Sequence, residues 1–206
     1  SATNIQWFLN NQAIAGATSD IYWAKLQGTY SVRVLNGSCY SNLSNTITIN
    51  NLPTPVKPSV VLSGPATFCQ RGLVTLTSSI GNIGNQWFMN EVAIPGANGS
   101  SFATNETGLY YLRVTNSSSG CNNYSDTVSI TVNPLPAIPT ITAGGATSFC
   151  QGGSVVLTSS AATGNQWKLN GNDISGATGT TYTATTSGNY TLVATVNGCP
   201  SPVSSI

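Results

Sequence analysis

The chain is 206 residues long, with six basic residues, five acidic ones and no histidine, for a net charge of +1. So weak a charge supplies no field to steer nucleic acid or an anionic membrane surface, and no apolar run reaches the roughly 18 residues of a membrane span. Apolar residues make up 40 % and Ser, Thr, Asn and Gly fill most of the rest, a mixture suited to water-facing strands and turns rather than to disorder.

The aromatic residues recur on a fixed period. Trp7, Trp87 and Trp167 stand 80 residues apart, as do Gly28, Gly108 and Gly188, and Tyr30, Tyr110 and Tyr190. A constant interval means that one small folding unit is used repeatedly. The first unit, residues 1–52, begins at the Trp7 strand and so is expected to lack its first two strands. A half-sandwich of that kind buries too little surface to stand alone. Its missing strands are expected upstream in a longer chain or from another protomer, as in donor-strand polymers. Residues 52–58 carry three prolines and form a semi-rigid connector. They lead into a complete second unit, residues 53–133. A matching connector at 133–139, its prolines offset by 81, opens the third unit, residues 134–206.

The third unit reads strand by strand. A first strand is expected at 140–143, and Gly152 and Gly153 turn the chain into 154–159, where Val155 and Leu157 share one face and Val156 and Thr158 the other. Residues 165–170 follow, with Trp167 and Leu169 inward and Gln166 and Lys168 outward. A turn at Ser175 and Gly176 leads to 180–184, where Tyr182 faces in. In 190–196 the inward residues are Tyr190, Leu192 and Ala194, and Asn197-Gly198 is a strong hairpin turn. The unit is clipped in its last strand: it stops at Ile206, where the second unit runs on through Ser129-Ile130-Thr131-Val132. No stretch carries a helical period with caps. The expectation is an all-β chain of tandem antiparallel sandwiches joined by short proline-rich linkers.

A tryptophan on the third strand, followed 23 residues later by the tyrosine of Gly-x-Tyr, resembles the immunoglobulin pattern. That tyrosine would form a tyrosine corner, its hydroxyl tied to nearby backbone. Phe149-Cys150-Gln151-Gly152-Gly153-Ser154-Val155-Val156-Leu157-Thr158, then Asn165-Gln166-Trp167, Ser187-Gly188-Asn189-Tyr190 and Gly198-Cys199, together with Asn133-Pro134-Leu135-Pro136, form a more specific set. The set is similar to the Ig-like repeats of SprB-like giant surface adhesins, which gliding Bacteroidetes export by the type IX pathway. The resemblance spans the whole chain. It implies an extracellular, cell-surface adhesin or filament segment whose partners are neighbouring repeats of the same longer chain or other protomers of a fibre.

Five cysteines at matched repeat positions favour disulfides and an oxidising compartment. Cys69 and Cys150 precede the second strand of their units; Cys39, Cys121 and Cys199 follow the sixth. The simple pairing joins Cys69 to Cys121 and Cys150 to Cys199, leaving Cys39 to a partner upstream of Ser1. In an immunoglobulin sandwich, however, the second and sixth strands run the same way. Their cysteines then sit at opposite poles, roughly 20 Å apart, against the Cα separation of about 4.4–6.8 Å that a disulfide needs. Because the top of one domain meets the bottom of the one before, Cys69–Cys199 is the interdomain alternative, with Cys39, Cys121 and Cys150 paired outside the chain. Both schemes remain open at this point.

Chemistry is sparse. Asp20, Glu91, Glu106, Asp126 and Asp173 share no repeat position, so no carboxylate pair recurs that could serve as acid and base, and no histidine is present to act as a general base. No catalytic residue, cofactor or metal site is expected, since neither a cysteine–histidine zinc set nor an acidic calcium loop is present. Thr127, in Asp126-Thr127-Val128, resembles the short O-glycosylation motif of the same bacterial lineage. Phe8 and Phe88 take the outward position held by Lys168 in the third unit, and Trp23 follows the inward Tyr22. Outward aromatics of this kind stack on sugar rings or anchor a neighbouring chain. Two further readings therefore stand beside the structural one: an array of carbohydrate-binding modules, with surface glycans as partners, and accessory domains of a secreted enzyme.

Overall fold

The computed structural model describes residues 4–81 and 84–206. Residues 1–3 and 82–83, which belong to the expected first and second units, lie outside the described residues. Every regular element among them is a β-strand, and nearly all pairs are antiparallel. The chain separates into two compact units: Ser1–Pro55 with Asn116–Cys121, and Val56–Thr115 with Asn122–Ile206. The third sequence repeat and most of the second therefore share one unit, while Asn116–Cys121 of the second groups with the first unit.

In the first unit, Ile5–Leu9 is flanked by Gln12–Ala13 and by Gly28–Asn36, which in turn carries Cys39–Tyr40 and Ile47–Ile49. Trp7 pairs with Val32, and Tyr22 lies between Trp7 and Tyr30 with ring centroids 5.9 Å from each. The three side chains give this sheet an aromatic face.

In the second unit, the described residues of 56–115 and 122–133 form two facing sheets. One is ordered Val92–Ala93, Asn85–Met89, Gly108–Thr115, Val128–Asn133, Thr67–Cys69, and the other Ser101–Thr104, Val74–Ser78, Val60–Leu62. Period-two alternation puts Val74, Leu76, Trp87, Tyr110, Leu112, Val114 and Ile130 into a single core between them. Residues 134–206 repeat the plan with Ile141–Ala143, Val155–Ser159 and Thr181–Ala184 facing Asn172–Asp173, Asn165–Leu169, Tyr190–Val196 and Cys199–Pro200. The expected strands of the third repeat are thus all present, shorter by one residue at some ends.

Two local devices repeat with the words around each tryptophan. The turn after the tryptophan strand has positive φ at both central residues, Asn90 and Glu91 (49° and 69°) or Asn170 and Gly171 (50° and 83°), as a type I′ hairpin requires. That hairpin edge in the third repeat, Asn172–Asp173, escaped the alternation pattern because it is only two residues long. The glycine ahead of Trp87 and of Trp167 is dictated by space: a Cβ at Gly84 or Gly164 would lie 2.0 Å from the carbonyl oxygen of Thr115 or Thr195, at φ of +70° or +72°.

Candidate functional site at the Cys69–Cys199 bridge

Cys69 is bonded to Cys199 with a Cα–Cα distance of 5.5 Å across a sequence separation of 130. Cys69 ends the Thr67–Cys69 strand, which pairs in parallel with the last strand of its repeat so that Cys69 stands opposite Asn133. Gln70 N donates to Asn133 O at 2.8 Å, and a turn closed by Gly72 N to Cys69 O at 2.9 Å carries the chain away. Cys199 is presented by the Asn197-Gly198 hairpin, with φ of 50° and 77°, and pairs with Val196.

The connector between the repeats is held at the same place. Asn133 Nδ2 donates to Asn197 O at 3.3 Å and Leu135 N to Gln70 Oε1 at 3.5 Å, while Pro139 is buried. Joint and bridge are one feature: the connector leaves beside Cys69, and the hairpin of the next repeat comes back onto it.

The within-domain pairings are corrected accordingly. Cys199 is engaged by Cys69, so neither Cys150–Cys199 nor Cys69–Cys121 exists, and Cys39, Cys121 and Cys150 are free thiols. The reason is the polarity of the sandwich: Cys150 and Cys199 bracket strands of five and seven residues that place them at opposite poles of one repeat. Cys39 and Cys150 are exposed. Cys121 is half-buried, its Sγ 3.9 Å from Leu52 O, and nearby Ser119 Oγ donates to Pro53 O at 2.7 Å.

The aromatic signature divides into core and surface. Trp87 and Trp167 are fully buried, and each indole N–H is satisfied by a loop carbonyl: Trp7 by Ser19 (2.8 Å), Trp87 by Gly99 (3.1 Å) and Trp167 by Gly179 (2.9 Å). The tyrosine hydroxyls donate to the carbonyl four residues back, Tyr30 to Leu26 (2.9 Å), Tyr110 to Glu106 (3.1 Å) and Tyr190 to Thr186 (2.8 Å), the geometry of a tyrosine corner. Burial pushes the Tyr110 phenol above its ordinary value, with the Glu106 charge adding to the shift and the Thr104 hydrogen bond opposing it. Tyr190 is raised as well, by burial first and then by Tyr182.

Phe8 and Phe88 require a correction. Phe8 is only 7 % exposed, with the Arg33 guanidinium 4.8 Å from its ring centroid. Phe88 stacks on Tyr111 at 4.9 Å with Arg113 at 5.3 Å. Both point outward on their strands, but a cross-strand arginine and, for Phe88, a tyrosine cover them, so neither ring offers a free contact face. Trp23 differs: it is 81 % exposed, with exposed Ile21 and Leu26 nearby in the chain.

Thr127 is exposed just before the Val128–Asn133 strand, next to Asp126, which pairs with Lys57 at 2.6 Å. Asp173 pairs with Lys168. Among the described residues no three His, Cys, Asp or Glu lie close enough to hold a metal ion, and no helix is long and apolar enough to cross a membrane. Sequence reasoning missed the role of the glutamine before each tryptophan. Gln86 Nε2 donates to Trp87 O (2.9 Å) and Ile94 O (2.7 Å), and Gln6 and Gln166 do the same in their repeats. Its signal was the recurrence of Gln-Trp at the period, read only as an outward position.

Facing antiparallel sheets and, in the third repeat, a buried Trp167 on the third strand and a Tyr190 corner on the sixth define an all-β, immunoglobulin-like fold. Among solved structures, the crystal structure of domains A168–A170 of titin is similar at 15 % identity, with a TM-score of 0.42, over 97 % of this chain and 85 % of that one. No family model and no curated protein matches the sequence.

Proposed function

We propose that the chain is a structural and adhesive segment of an extracellular stalk or filament, built of tandem Ig-like domains divided at residues 1–52, 53–133 and 134–206. The observation that carries this reading is the Cys69–Cys199 bridge. It fixes one repeat to the next, which serves a load-bearing rod and has no use in independently working modules. A disulfide at this position suits an oxidising compartment. The resemblance of the Asn133–Pro136 connector and the Phe149–Thr158 segment to SprB-like adhesin repeats supports a cell-surface location, type IX export and a role in adhesion or gliding. Thr127, exposed in its Asp-Thr-Val context, is the proposed O-glycosylation position. No enzymatic role is proposed.

An antibody against the chain should label intact, unpermeabilised cells of the source organism; label seen only after permeabilisation would sink the extracellular assignment. A second reading, glycan binding, draws on Trp23 alone, since it is the aromatic left uncovered. On a glycan array the native chain is expected to give no saturable signal. A sugar-specific signal abolished by Trp23→Ala would move the assignment to a carbohydrate-binding module.

A further inference from the structure

Beside Phe149 and Cys150 the third repeat carries a groove of about 590 Å³, lined chiefly by Ile141, Phe149, Val155, Leu157 and Tyr190. The second repeat shows what such a groove takes. There, Val128–Asn133 runs antiparallel to Gly108–Thr115 (Tyr110 opposite Val128, Gly108 opposite Ile130) and parallel to Thr67–Cys69 (Val132 opposite Phe68, Asn133 opposite Cys69). Ile130 from that strand is 1 % exposed in the core. Phe149, Tyr190 and Gly188 in the groove wall are the counterparts of Phe68, Tyr110 and Gly108.

An independent observation comes from the cysteines. The turn after Cys150 is built as the turn after Cys69, with Gly153 N donating to Cys150 O at 2.9 Å as Gly72 N does to Cys69 O. Cys69 is bonded to the hairpin cysteine of the following repeat, whereas Cys150 is free and exposed. The other hairpin cysteine, Cys121, lies against Leu52 O, and Leu52 holds in its connector the place that Asn133 holds beside Cys69. In both cases the hairpin cysteine sits on the connector, where a cysteine of the Cys69 kind would meet it.

We infer that the Phe149–Cys150 edge is an acceptor for chain of the same kind: the groove takes a strand with the chemistry of Val128–Asn133, and Cys150 then closes a disulfide with the hairpin cysteine of the repeat that follows that strand, as Cys69 does with Cys199. The inference rests on the tandem-repeat reading above. The strand supplies the alternation Val-x-Ile-x-Val, its middle isoleucine entering between Leu157 and Tyr190 and its backbone completing both flanking strands. The bond forms by exchange with a small-molecule disulfide such as oxidised glutathione. The Cys150 thiolate attacks it and releases one glutathione thiolate. The incoming cysteine thiolate then attacks the Cys150 sulfur and releases the second, and the two protons lost from the protein thiols end on the two glutathiones.

Two experiments on the full chain test this. First, a peptide of residues 126–134 is added and amide exchange is followed. Exchange at residues 187–191 and 148–151 should slow by about tenfold or more, and a peptide carrying Ile130→Asp should give none of this. No slowing with the native peptide, or equal slowing with both peptides, overturns the strand half. Second, the full chain is extended after Ile206 by a second copy of residues 128–206, oxidised in a glutathione buffer and mapped without reduction. A cross-linked peptide between Cys150 and the added copy of Cys199 is expected, with Cys69–Cys199 retained in the same digest as the report of folding. Cys150 recovered free, or bonded to Cys39 or Cys121, overturns the clamp half. That result, with Cys69–Cys199 still intact, leaves the structural reading of the chain standing.

Discussion

The second and third repeats share their words and their strand registers, yet they bury their cores to different degrees. Val74 and Leu76 are 1 % and 0 % exposed; their counterparts Val155 and Leu157 are 8 % and 6 %. The pairing of these strands with their neighbours is the same in both, Val74 opposite Thr104 and Val155 opposite Ala184. What differs is the strand Val128–Asn133, which closes the side of the second sandwich and brings in Ile130. The burial of a core position is thus set in part by a strand far away in sequence, one that lies between Gly108–Thr115 and Thr67–Cys69.

Removing the bridge should have the largest effect on this contrast. Cys199→Ser opens a loop of 130 residues, worth about 5 kcal/mol on the chain-entropy account. The second and third repeats should then lose their common unfolding transition, the third going first. Amide exchange at Leu112 and Leu192, both fully buried, reads the two separately. Continued joint exchange of the two amides in the variant would show that packing alone couples them.

Ile130→Ala should come next, destabilising the second repeat by about 2–5 kcal/mol and erasing its advantage over the third. Denaturant titration with the same two amides checks it: exchange at Leu112 should rise towards that at Leu192, which should not change.

The smallest effects belong to the tyrosine corners. Tyr110→Phe and Tyr190→Phe should each cost about 1 kcal/mol, with Tyr110 the costlier because its hydroxyl also meets Thr104 at 2.8 Å. Both phenols are raised in the folded chain. Their contribution is therefore complete below the unfolded value of about 10 and falls as pH rises above it, since the unfolded chain releases the proton first. Melting temperatures measured from pH 8 to pH 11 should drop above pH 10, and drop less in the Tyr110→Phe, Tyr190→Phe double variant.

The sandwich itself was legible because alternation is a local signal: Trp167 with Leu169, and Tyr190 with Leu192 and Ala194, declare their faces within a few residues. The Thr67–Cys69 strand was not, since three residues paired in parallel with a partner some 60 positions later leave no periodic trace. The bridge was legible only as a choice between two schemes. Strand polarity argued against the near pairing, but which pole meets which depends on the connector, and the contact of Asn133 with Asn197 is written in no local pattern. Phe8 and Phe88 were misjudged for a related reason. Their outward direction follows from the strand period, whereas their covering by Arg33 and by Tyr111 with Arg113 depends on the register of the neighbouring strand.

The position of the bridge also decides where tension can travel. A pull applied at Val56 and Ile206 runs along the chain to Cys69, crosses the sulfur–sulfur bond and leaves from Cys199. The residues between the two cysteines, a separation of 130, hang off the loaded line. At about 3.5 Å per extended residue they represent roughly 450 Å of slack that a pull cannot draw out while the bond holds. Both tryptophan cores of the unit, Trp87 and Trp167, lie within that unloaded loop. Reduction of that single bond would put this slack on the loaded line, so the redox state of the surroundings sets how far this part of the chain can give.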